Sequence, residues 1–357
     1  MEGMAKKNKI YGSLEIVAPG TRLRIGLENI VRAKTGALIV IGDEKEVLDI
    51  VDGGFNINSE YTPSYIYELA KMDGAIILSS DCKKILYANA QLIPNQNISS
   101  KETGTRHRTA ERVAKQCETL VIAISQRRNV ITLYKGEDKY ILKESSEILN
   151  KANQAIQTLE KYKTVLDQAM NNLTALEFEN LVTVYDVSRV IQRLEMVSRV
   201  AFEIERYILE LGNEGRLISM QLNELMSGVD EDGYNVVKDY SIREEKYTEV
   251  RKEISNFSSN ALLSLENIGS VLGYSNGLAS LDTSVYPKGY RILSKIPRLP
   301  LAVLENVIKM FGSFQEILKA SVSDLDLVDG IGKVRARTIK EGIRRCQEQA
   351  MIDRTLI

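Results

Sequence analysis

Gly104-Thr105-Arg106-His107-Arg108-Thr109 is the stretch around which this chain is organised. It is followed by Ala110, Val113, Ala114 and Cys117, whose spacing is typical of the apolar face of an amphipathic helix. We therefore predict that the charged residues lie in the first turn of a helix. Free backbone N–H groups and the positive end of the helix dipole lie there, so two arginines are unfavourable unless an anion binds between them.

Phosphate is the anion that suits this turn, because backbone N–H groups and planar guanidinium groups both bind its oxygens. A charged hydrogen bond is worth about 1.5–3 kcal/mol, whereas the helix dipole contributes about 0.3–1 kcal/mol. Arg106 and Arg108 should therefore contribute more to phosphate binding than the helix dipole does. His107 is the only histidine in the 357 residues, which favours a functional role. The alternative interpretation is a solvated basic patch on a loop.

Composition limits the classes of protein that this chain can belong to. A length of 357 residues with 44% apolar and 27% charged residues predicts two or three globular domains. The net charge of −1 means that any contact with nucleic acid must come from a local basic patch. No apolar run reaches the ~18 residues that span a membrane, and Met1 to Asn8 leads into no signal-peptide core. We expect a cytoplasmic protein.

The three cysteines, Cys82, Cys117 and Cys346, are widely spaced and contain no Cys-x-x-Cys pair. With a single histidine available, we do not expect a structural zinc site. We expect reduced thiols.

The first part of the chain, residues 1–147, is predicted to be an α/β domain with a mixed sheet flanked by helices. Thr21 and the pair Thr62-Pro63 are typical helix starts. No Gly-x-Gly-x-x-Gly motif follows a strand and no Walker loop is present, which excludes the common dinucleotide and P-loop sites. The predicted strands are Ala37–Ile41, Ala75–Leu78, Lys84–Asn89, Leu120–Ile124, Asn129–Tyr134 and Tyr140–Leu142.

Residues 148–293 are predicted to form an all-α helical spine. Neither glycine nor proline occurs from Glu137 to Leu211. Apolar residues recur every three or four positions through the first part of this stretch. A second run with the same spacing extends from Val187 to Leu211. The elements between residues 228 and 293 cannot be placed from the sequence.

Residues 294–357 are predicted to form a helix-hairpin-helix domain that binds DNA. Ser323 is expected to cap a short helix before a glycine turn, and a basic helix follows, with six Lys or Arg against Glu341 from Lys333 to Arg345. Glycine lets backbone N–H groups approach a phosphate closely, so such a turn contacts the DNA backbone rather than the bases. The alternative is a structural helical cap. The predicted DNA contacts are Gly330, Ile331, Gly332, Lys333, Arg335 and Arg337.

Two motifs resemble those of the diadenylate cyclases, specifically of their bacterial branch that scans DNA. They are Asp73-Gly74-Ala75 and Gly104–Thr109, and the flanking Tyr67–Met72 and Thr109–Val113 also fit. The order of nucleotide-binding domain, helical spine and helix-hairpin-helix tail is that of the family. The resemblance therefore covers essentially the whole chain.

The resemblance implies that two ATP molecules condense to cyclic di-AMP with release of two pyrophosphates. It also implies a divalent metal, Mg²⁺ or Mn²⁺, a homo-octamer, association with the nucleoid, and synthesis that is lowered by branched or damaged DNA. By the same resemblance, the backbone near Leu92 contacts adenine.

The residues themselves suit this chemistry, because in-line attack of a 3′-hydroxyl on an α-phosphate needs positioned groups that stabilise anions, together with a metal. We predict Asp73, Arg106, His107 and Arg108 as the catalytic residues, with Asp73 holding the metal. Alone, Asp73 would be interpreted as a turn residue before Gly74. The predicted ATP contacts are Asp73, Gly74, Ala75, Leu92, Gly104, Thr105, Arg106, His107, Arg108, Thr109 and Ser125.

A chain with one set of motifs has one ATP site. A two-fold symmetric product made from two identical substrates then predicts two cyclase domains that face each other across an isologous interface. Two other functions stay open: a non-catalytic DNA-binding structural protein whose first domain senses ATP, and an enzyme that transfers AMP to a protein or nucleic acid.

Overall fold

The computed structural model describes residues 10–243, 247–275 and 277–355, so the Met1–Asn8 stretch considered above lies outside it. Contacts divide the chain into two compact units, Met1–Ala155 with Phe202–Gln221, and Ile156–Ala201 with Leu222–Ile357. The boundaries predicted after residues 147 and 293 fall near or inside continuous helices. The three-domain division 1–147, 148–293 and 294–357 stays a prediction.

The first unit contains a mixed sheet of eight strands among the described residues, in the order β2-β5-β4-β1-β6-β7-β8, with β3 also paired to β5. β1 pairs with β4 in parallel, and the other pairings are antiparallel. The six predicted strands are confirmed, two of them with the predicted ends and four with shifted ends, whereas β2 and β3 were not predicted. The strands are β1 Ala37–Ile41, β2 Val51–Asp52, β3 Phe55–Glu60, β4 Ala75–Leu78, β5 Lys84–Leu92, β6 Leu120–Ser125, β7 Val130–Lys135 and β8 Asp138–Ile141.

Helices cover both faces of the sheet, as predicted. Ile39 and Ile41 of β1 belong to one apolar cluster, and Leu38 and Val40 belong to the other, because successive side chains of a strand point to opposite faces. The first cluster includes residues of α1 (Arg22–Arg32) and α3 (Pro63–Leu69). The second includes residues of α2 (Lys45–Leu48) and α4 (Thr105–Cys117). The sheet is therefore the middle layer of a three-layer domain.

The caps predicted for two helices are confirmed. The side chain of Thr21 accepts a hydrogen bond from the Arg24 N–H, and that of Thr62 accepts one from the Tyr65 N–H, with Pro63 at the first helical position.

Long helices follow the sheet, as the absence of glycine and proline predicts. α5 spans Ser145–Glu179, or 35 residues, and α6 spans Val184–Leu211, or 28 residues. The region that could not be placed from the sequence is also helical in its described parts. The following helices are α7 Arg216–Met226, α8 Val229–Tyr240, α9 Tyr247–Ser255, α10 Ser259–Leu263, α11 Leu265–Val271 and α12 Leu278–Leu281.

The remaining helices are α13 Tyr290–Ser294, α14 Leu301–Phe311, α15 Phe314–Lys319, α16 Val322–Asp326 and α17 Lys333–Thr355. The prediction that Ser323 caps α16 is wrong. Ser321 is the cap, because its side chain accepts from the Asp324 N–H while the Asp324 carboxylate accepts from the Ser321 N–H. Ser323 also has an acid three residues later, Asp326, but both residues lie within the helix Val322–Asp326, so Ser323 is not at its start.

The carboxyl-terminal part of the second unit contains an internal repeat. α13 and α14 begin at Tyr290 and Leu301, and α16 and α17 begin 32 residues later, at Val322 and Lys333. The turns match as well: Arg298 has φ +62° and its counterpart Gly330 has φ +82°. The apolar residues two positions before these turn residues, 296 and 328, are buried in one cluster. The tail is therefore a pair of helix–turn–helix units around one core.

A buried ionic network ties this tail to α5 within the second unit. The Arg291 guanidinium donates to the Glu177 carboxylate and, at 3.0 Å, to the Thr174 hydroxyl. The Tyr240 hydroxyl donates to Glu177 at 2.7 Å. Asp239 accepts hydrogen bonds from the backbone N–H groups of residues 289, 290 and 291. Burial and the Glu177 charge raise the pKa of Asp239 to about 6. Each charge is thus paired or hydrogen-bonded, as burial requires.

We predict that Arg291→Met lowers the free energy of unfolding by about 3–5 kcal/mol, because it leaves the Glu177 charge buried without its partner. The double variant Arg291→Met/Glu177→Leu should lose clearly less. Chemical denaturation measures both. Arg344→Met, which removes an exposed ion pair to Glu348, is the control and should change stability by less than about 0.5 kcal/mol. An equal loss in the single and double variants would contradict the prediction.

Candidate functional site

The stretch Gly104–Thr109 begins a helix, as predicted. Gly104 is the N-cap of α4, and Ala110, Val113 and Ala114 are buried against the sheet. Arg106 is half-buried and His107 is buried, whereas Thr105 and Arg108 are exposed and Thr109 is half-buried. The alternative of a solvated loop is therefore excluded.

One edge of the sheet brings most of the predicted residues together. In the pairing of β1 with β4, Leu38 is opposite Ala75, which places Asp73-Gly74 beside the residue that precedes β1, Gly36. In the pairing of β1 with β6, Ala37 is opposite Ile124, so Ser125 also reaches this edge. Neighbouring strands lie about 4.8 Å apart, so Asp73 and Ser125 are separated by about 10 Å.

Leu92 reaches the same edge from the next strand. Ala75 of β4 is opposite Ala90 of β5, and Leu92 lies two residues farther along β5. Its side chain is buried, with 9% exposed. The chain leaves the sheet at this point and returns to begin α4.

Arg106 joins the helix start to the sheet edge. A Cβ atom at Gly36 would collide with Nη1 of Arg106, so the guanidinium packs directly on the backbone of Gly36. Gly36 was not predicted as a site residue, because in the sequence it has the usual features of a helix end. The sequence contains no signal for this contact, since 70 positions separate the two residues.

Asp73 and Gly74 form the turn before β4. Gly74 has φ +94°, and a Cβ atom there would lie 2.8 Å from the Asn89 carbonyl carbon, so the fold itself requires glycine at this position. The Asp73 carboxylate is exposed and makes no hydrogen bond or ion pair to any described residue. It is therefore available to a ligand.

The His107 ring is buried and faces Tyr134 of β7. Its Nδ1 lies 2.9 Å from the Tyr134 hydroxyl, and the Tyr134 hydroxyl lies 3.0 Å from Oε1 of Glu102. The Lys139 ammonium pairs with the same carboxylate oxygen. Nε2 of His107 is buried and has no hydrogen-bond partner in the described structure. Tyr134, Glu102 and Lys139 were not predicted, because their link to His107 exists only in the folded chain.

The electrostatics of this chain favour a neutral histidine. Burial lowers the pKa of His107, the Glu102 charge opposes this, and the charges of Arg128, Lys139 and Arg106 lower the pKa further. Burial opposes ionisation of Glu102, but hydrogen bonds from Lys139 and Tyr134 outweigh it and hold the pKa of Glu102 below its usual value.

The loop that precedes α4 is fastened to the helix by side chains. Glu111 accepts hydrogen bonds from the Ser100 hydroxyl at 2.5 Å and from the Lys101 N–H at 3.0 Å. Arg112 donates to the Ile98 carbonyl at 2.9 Å. Arg108 donates to the carbonyl groups of residues 102 and 103 at 3.3 and 3.4 Å. The first turn of α4 is therefore held from both sides.

The residues predicted to bind DNA cluster at the second turn of the tail. Gly330, Gly332, Lys333 and Arg337 are exposed. Ile331 packs into the core, and the Arg335 side chain donates to the Gly330 carbonyl. A Cβ atom at Gly332 would meet nothing within 4 Å, so the fold does not require glycine there.

Comparison with known proteins gives close matches along nearly the whole chain. The "DNA integrity scanning protein DisA" of Clostridium kluyveri is 59% identical over 98% of this chain and 99% of its own length. The protein of the same name from Clostridium perfringens is 60% identical over 96% of this chain and 97% of its own. The protein of that name from Clostridium tetani is 58% identical over 99% and 98%.

The chain belongs to the DisA family.

Two family models match successive parts of it: the "DisA bacterial checkpoint controller nucleotide-binding" region over residues 24–139, and the "DisA bacterial checkpoint controller linker region" over residues 142–281. The α/β sheet and the α4 site thus lie in the nucleotide-binding region of the DisA family. Among solved structures, DacA from Staphylococcus aureus matches 38% of this chain and 91% of its own at 21% identity, with a TM-score of 0.30. Among the described helices, none combines the length and the apolar character needed to cross a membrane.

We predict that Gly36→Ala weakens nucleotide binding about tenfold or more, because the new methyl group displaces the Arg106 guanidinium, and a charged hydrogen bond is worth about 1.5–3 kcal/mol. Titration calorimetry with ATP measures the effect. Gly12→Ala is the matched control, since a Cβ atom there meets nothing within 4 Å. Equal affinity in both variants would show that the position of Arg106 on Gly36 is unimportant for binding.

Proposed function

We propose that the protein is a diadenylate cyclase, which condenses two ATP molecules to cyclic di-AMP and releases two pyrophosphates. The observation that carries this proposal is the meeting of the two motifs at one sheet edge. Asp73-Gly74-Ala75 lies at the start of β4, Gly104–Thr109 lies at the start of α4, and Arg106 joins them by packing on Gly36. Membership in the DisA family, with its nucleotide-binding region, supports it.

In this proposal the predicted ATP contacts other than His107, whose ring is buried, take the positions given by the sheet edge. Arg106 and Arg108 bind the phosphates, with the Thr105 and Thr109 hydroxyls and the Gly104 end of α4. Leu92 and Ala75 contact the nucleoside, Gly74 lies close to the ribose, and Ser125 donates to a phosphate. Attack by a 3′-hydroxyl on an α-phosphate gains most from such fixed cationic groups, since charge spreads over the phosphoryl oxygens.

We propose Asp73 as the residue that holds Mg²⁺ or Mn²⁺. Within the described residues, no group of three or more His, Cys, Asp or Glu side chains comes together as a metal cage. Mg²⁺ in nucleotide sites is bound through one or two carboxylates together with substrate phosphates, and the exposed Asp73 carboxylate fits that requirement. The metal would neutralise phosphate charge and favour loss of the proton from the attacking hydroxyl.

Two cyclase domains must face each other in this proposal, because each chain supplies one set of motifs for a product with two-fold symmetry. A homo-octamer, the assembly implied by the family resemblance, would supply such pairs. The rate per chain should then fall when dilution separates the subunits.

We predict that the purified protein with ATP and Mg²⁺ or Mn²⁺ forms cyclic di-AMP, and that Asp73→Asn abolishes synthesis while ATP still binds. Chromatography with mass spectrometry identifies the product, and titration calorimetry measures binding. The control is Asp81→Asn, on the turn after β4. Binding of ATP without any product from the folded parent, with both metals, would instead favour the alternative of a DNA-binding protein that senses ATP. Labelled AMP on an acceptor would indicate an adenylyl transferase.

We propose that the tail is a helix-hairpin-helix domain that binds the backbone of branched or damaged DNA through the turn at Gly330–Lys333. Gly332 supports this assignment, because the fold leaves open space where its Cβ atom would be. The first turn of the repeat is a poorer phosphate site, since Pro300 stands at the position of Gly332 and has no N–H group. Association with the nucleoid would follow from such binding.

We predict that Lys333→Gln weakens binding of a four-way DNA junction and reduces the slope of log K against log salt by about 1, because one phosphate contact is lost. Lys309→Gln, with the same charge change on α14, is the control and should bind like the parent. Fluorescence anisotropy across a salt series measures both. Junction DNA should also lower cyclic di-AMP synthesis by the parent and less so by Lys333→Gln. Equal weakening in both variants would point to non-specific attraction.

A further inference from the structure

The single histidine of the chain makes no contact that fits a phosphate ligand. Its ring is 8% exposed, and Nδ1 faces the Tyr134 hydroxyl on β7 at 2.9 Å. Nε2 is buried and lacks a partner among the described residues. The two arginines on either side of it in the sequence point elsewhere, Arg106 to Gly36 and Arg108 to the loop before α4.

The hydrogen-bond network assigns the tautomer of this ring. An ionised carboxylate can only accept, and a tyrosine hydroxyl has one proton to donate. The Tyr134 proton is therefore directed at Glu102, 3.0 Å away. The Tyr134 oxygen must then accept from His107, which places the histidine proton on Nδ1. In the neutral ring, Nε2 carries a lone pair, which repels a phosphate oxygen rather than binding it.

We infer that Glu102 and Tyr134 are positioning residues, which hold His107 as an uncharged hydrogen-bond donor beneath the first turn of α4, and that His107 sets the place of the phosphate-binding arginines without touching the nucleotide. This inference rests on the proposed function for the role of the arginines. The tautomer and charge of His107 do not depend on it.

Glu102 links β7 to the loop before α4 and to the first turn of α4. Its side chain accepts from Tyr134 and Lys139, and its backbone carbonyl accepts from Nε of Arg108 at 3.3 Å. Tyr134 is buried on β7, which is paired with a strand on each side. The hydrogen bonds of Tyr134 on β7 to Glu102 and His107 therefore fasten both the loop before α4 and the helix start to the sheet.

A neutral ring is also what the surrounding charges require. Around His107 lie the positive groups Arg106, Arg128 and Lys139, and Glu102 is the negative group among them. Lowering the pH protonates the unfolded histidine before the folded one, because the folded pKa lies below 6.5. Stability should thus be complete above pH 6.5 and fall as the pH drops through the folded pKa.

The first test reads the ring directly. With [¹⁵N]histidine labelling, the only ring signals are those of His107, provided that no histidine tag remains. Solid-state ¹⁵N NMR at pH 7.5 should show a neutral ring protonated at Nδ1. Tyr134→Phe should move the proton to Nε2 or mix the two forms, whereas the control Tyr65→Phe, at an exposed tyrosine, should not. A charged ring, or one protonated at Nε2 in the parent, would overturn the inference.

The second test separates positioning from contact with the nucleotide. The amide nitrogen of asparagine can take the place of Nδ1, and that of glutamine can take the place of Nε2. We expect His107→Gln to lose about tenfold in kcat/KM for cyclic di-AMP synthesis, the effect of one hydrogen bond, and His107→Asn to lose clearly less than His107→Gln. Equal loss in both variants, or the better activity in His107→Gln, would overturn the inference.

Two further measurements keep these results interpretable. Thermal unfolding shows whether each variant is folded, and Glu102→Gln should lower kcat/KM as His107→Gln does while still binding ATP. If the parent made no cyclic di-AMP, the proposed function would fail by itself. The NMR result would still decide the state of His107, and ATP affinities would then replace kcat/KM in comparing the two substitutions.

Discussion

The candidate site depends on the way in which β1 pairs with its two neighbours. Parallel pairing with β4 and antiparallel pairing with β6 bring the start of one strand and the end of the other to the same edge. A shift of one residue in either register would turn every side chain to the opposite face and move Asp73 away from Ser125. Packing on both faces of β1 opposes such a shift, since each buried cluster would have to accommodate the side chains that fit the other.

The helix start is organised by contacts of a different kind. Arg106 needs the bare backbone of Gly36, and the inward side of the same turn needs Tyr134 and Glu102. These two sets of contacts hold one short turn from opposite sides. Fixed cationic groups suit phosphoryl transfer because they need no rearrangement when charge develops. The cost is a buried Nε2 atom without a partner, on the order of 1–3 kcal/mol.

The second unit has two distinctive features, a buried ionic network and an internal structural repeat. The network of Glu177, Arg291 and Asp239 links α5, α8 and α13 through buried charges that are each paired or hydrogen-bonded. The repeat of helix–turn–helix units then builds one core from two similar halves. Its two turns differ, with Pro300 in one and Gly332 in the other, so that only the second has a backbone N–H group at this position.

The sequence by itself determined the helix start at Gly104, the buried strands, the long helices without glycine or proline, and the family to which the chain belongs. Those features follow from short-range patterns and from motifs of adjacent residues. The tertiary structure alone decided the strand register, the contact of Arg106 with Gly36, the inward direction of His107, and the partners Tyr134 and Glu102. These contacts join residues that are distant in sequence, and only burial and pairing in the folded sheet bring them within hydrogen-bond distance.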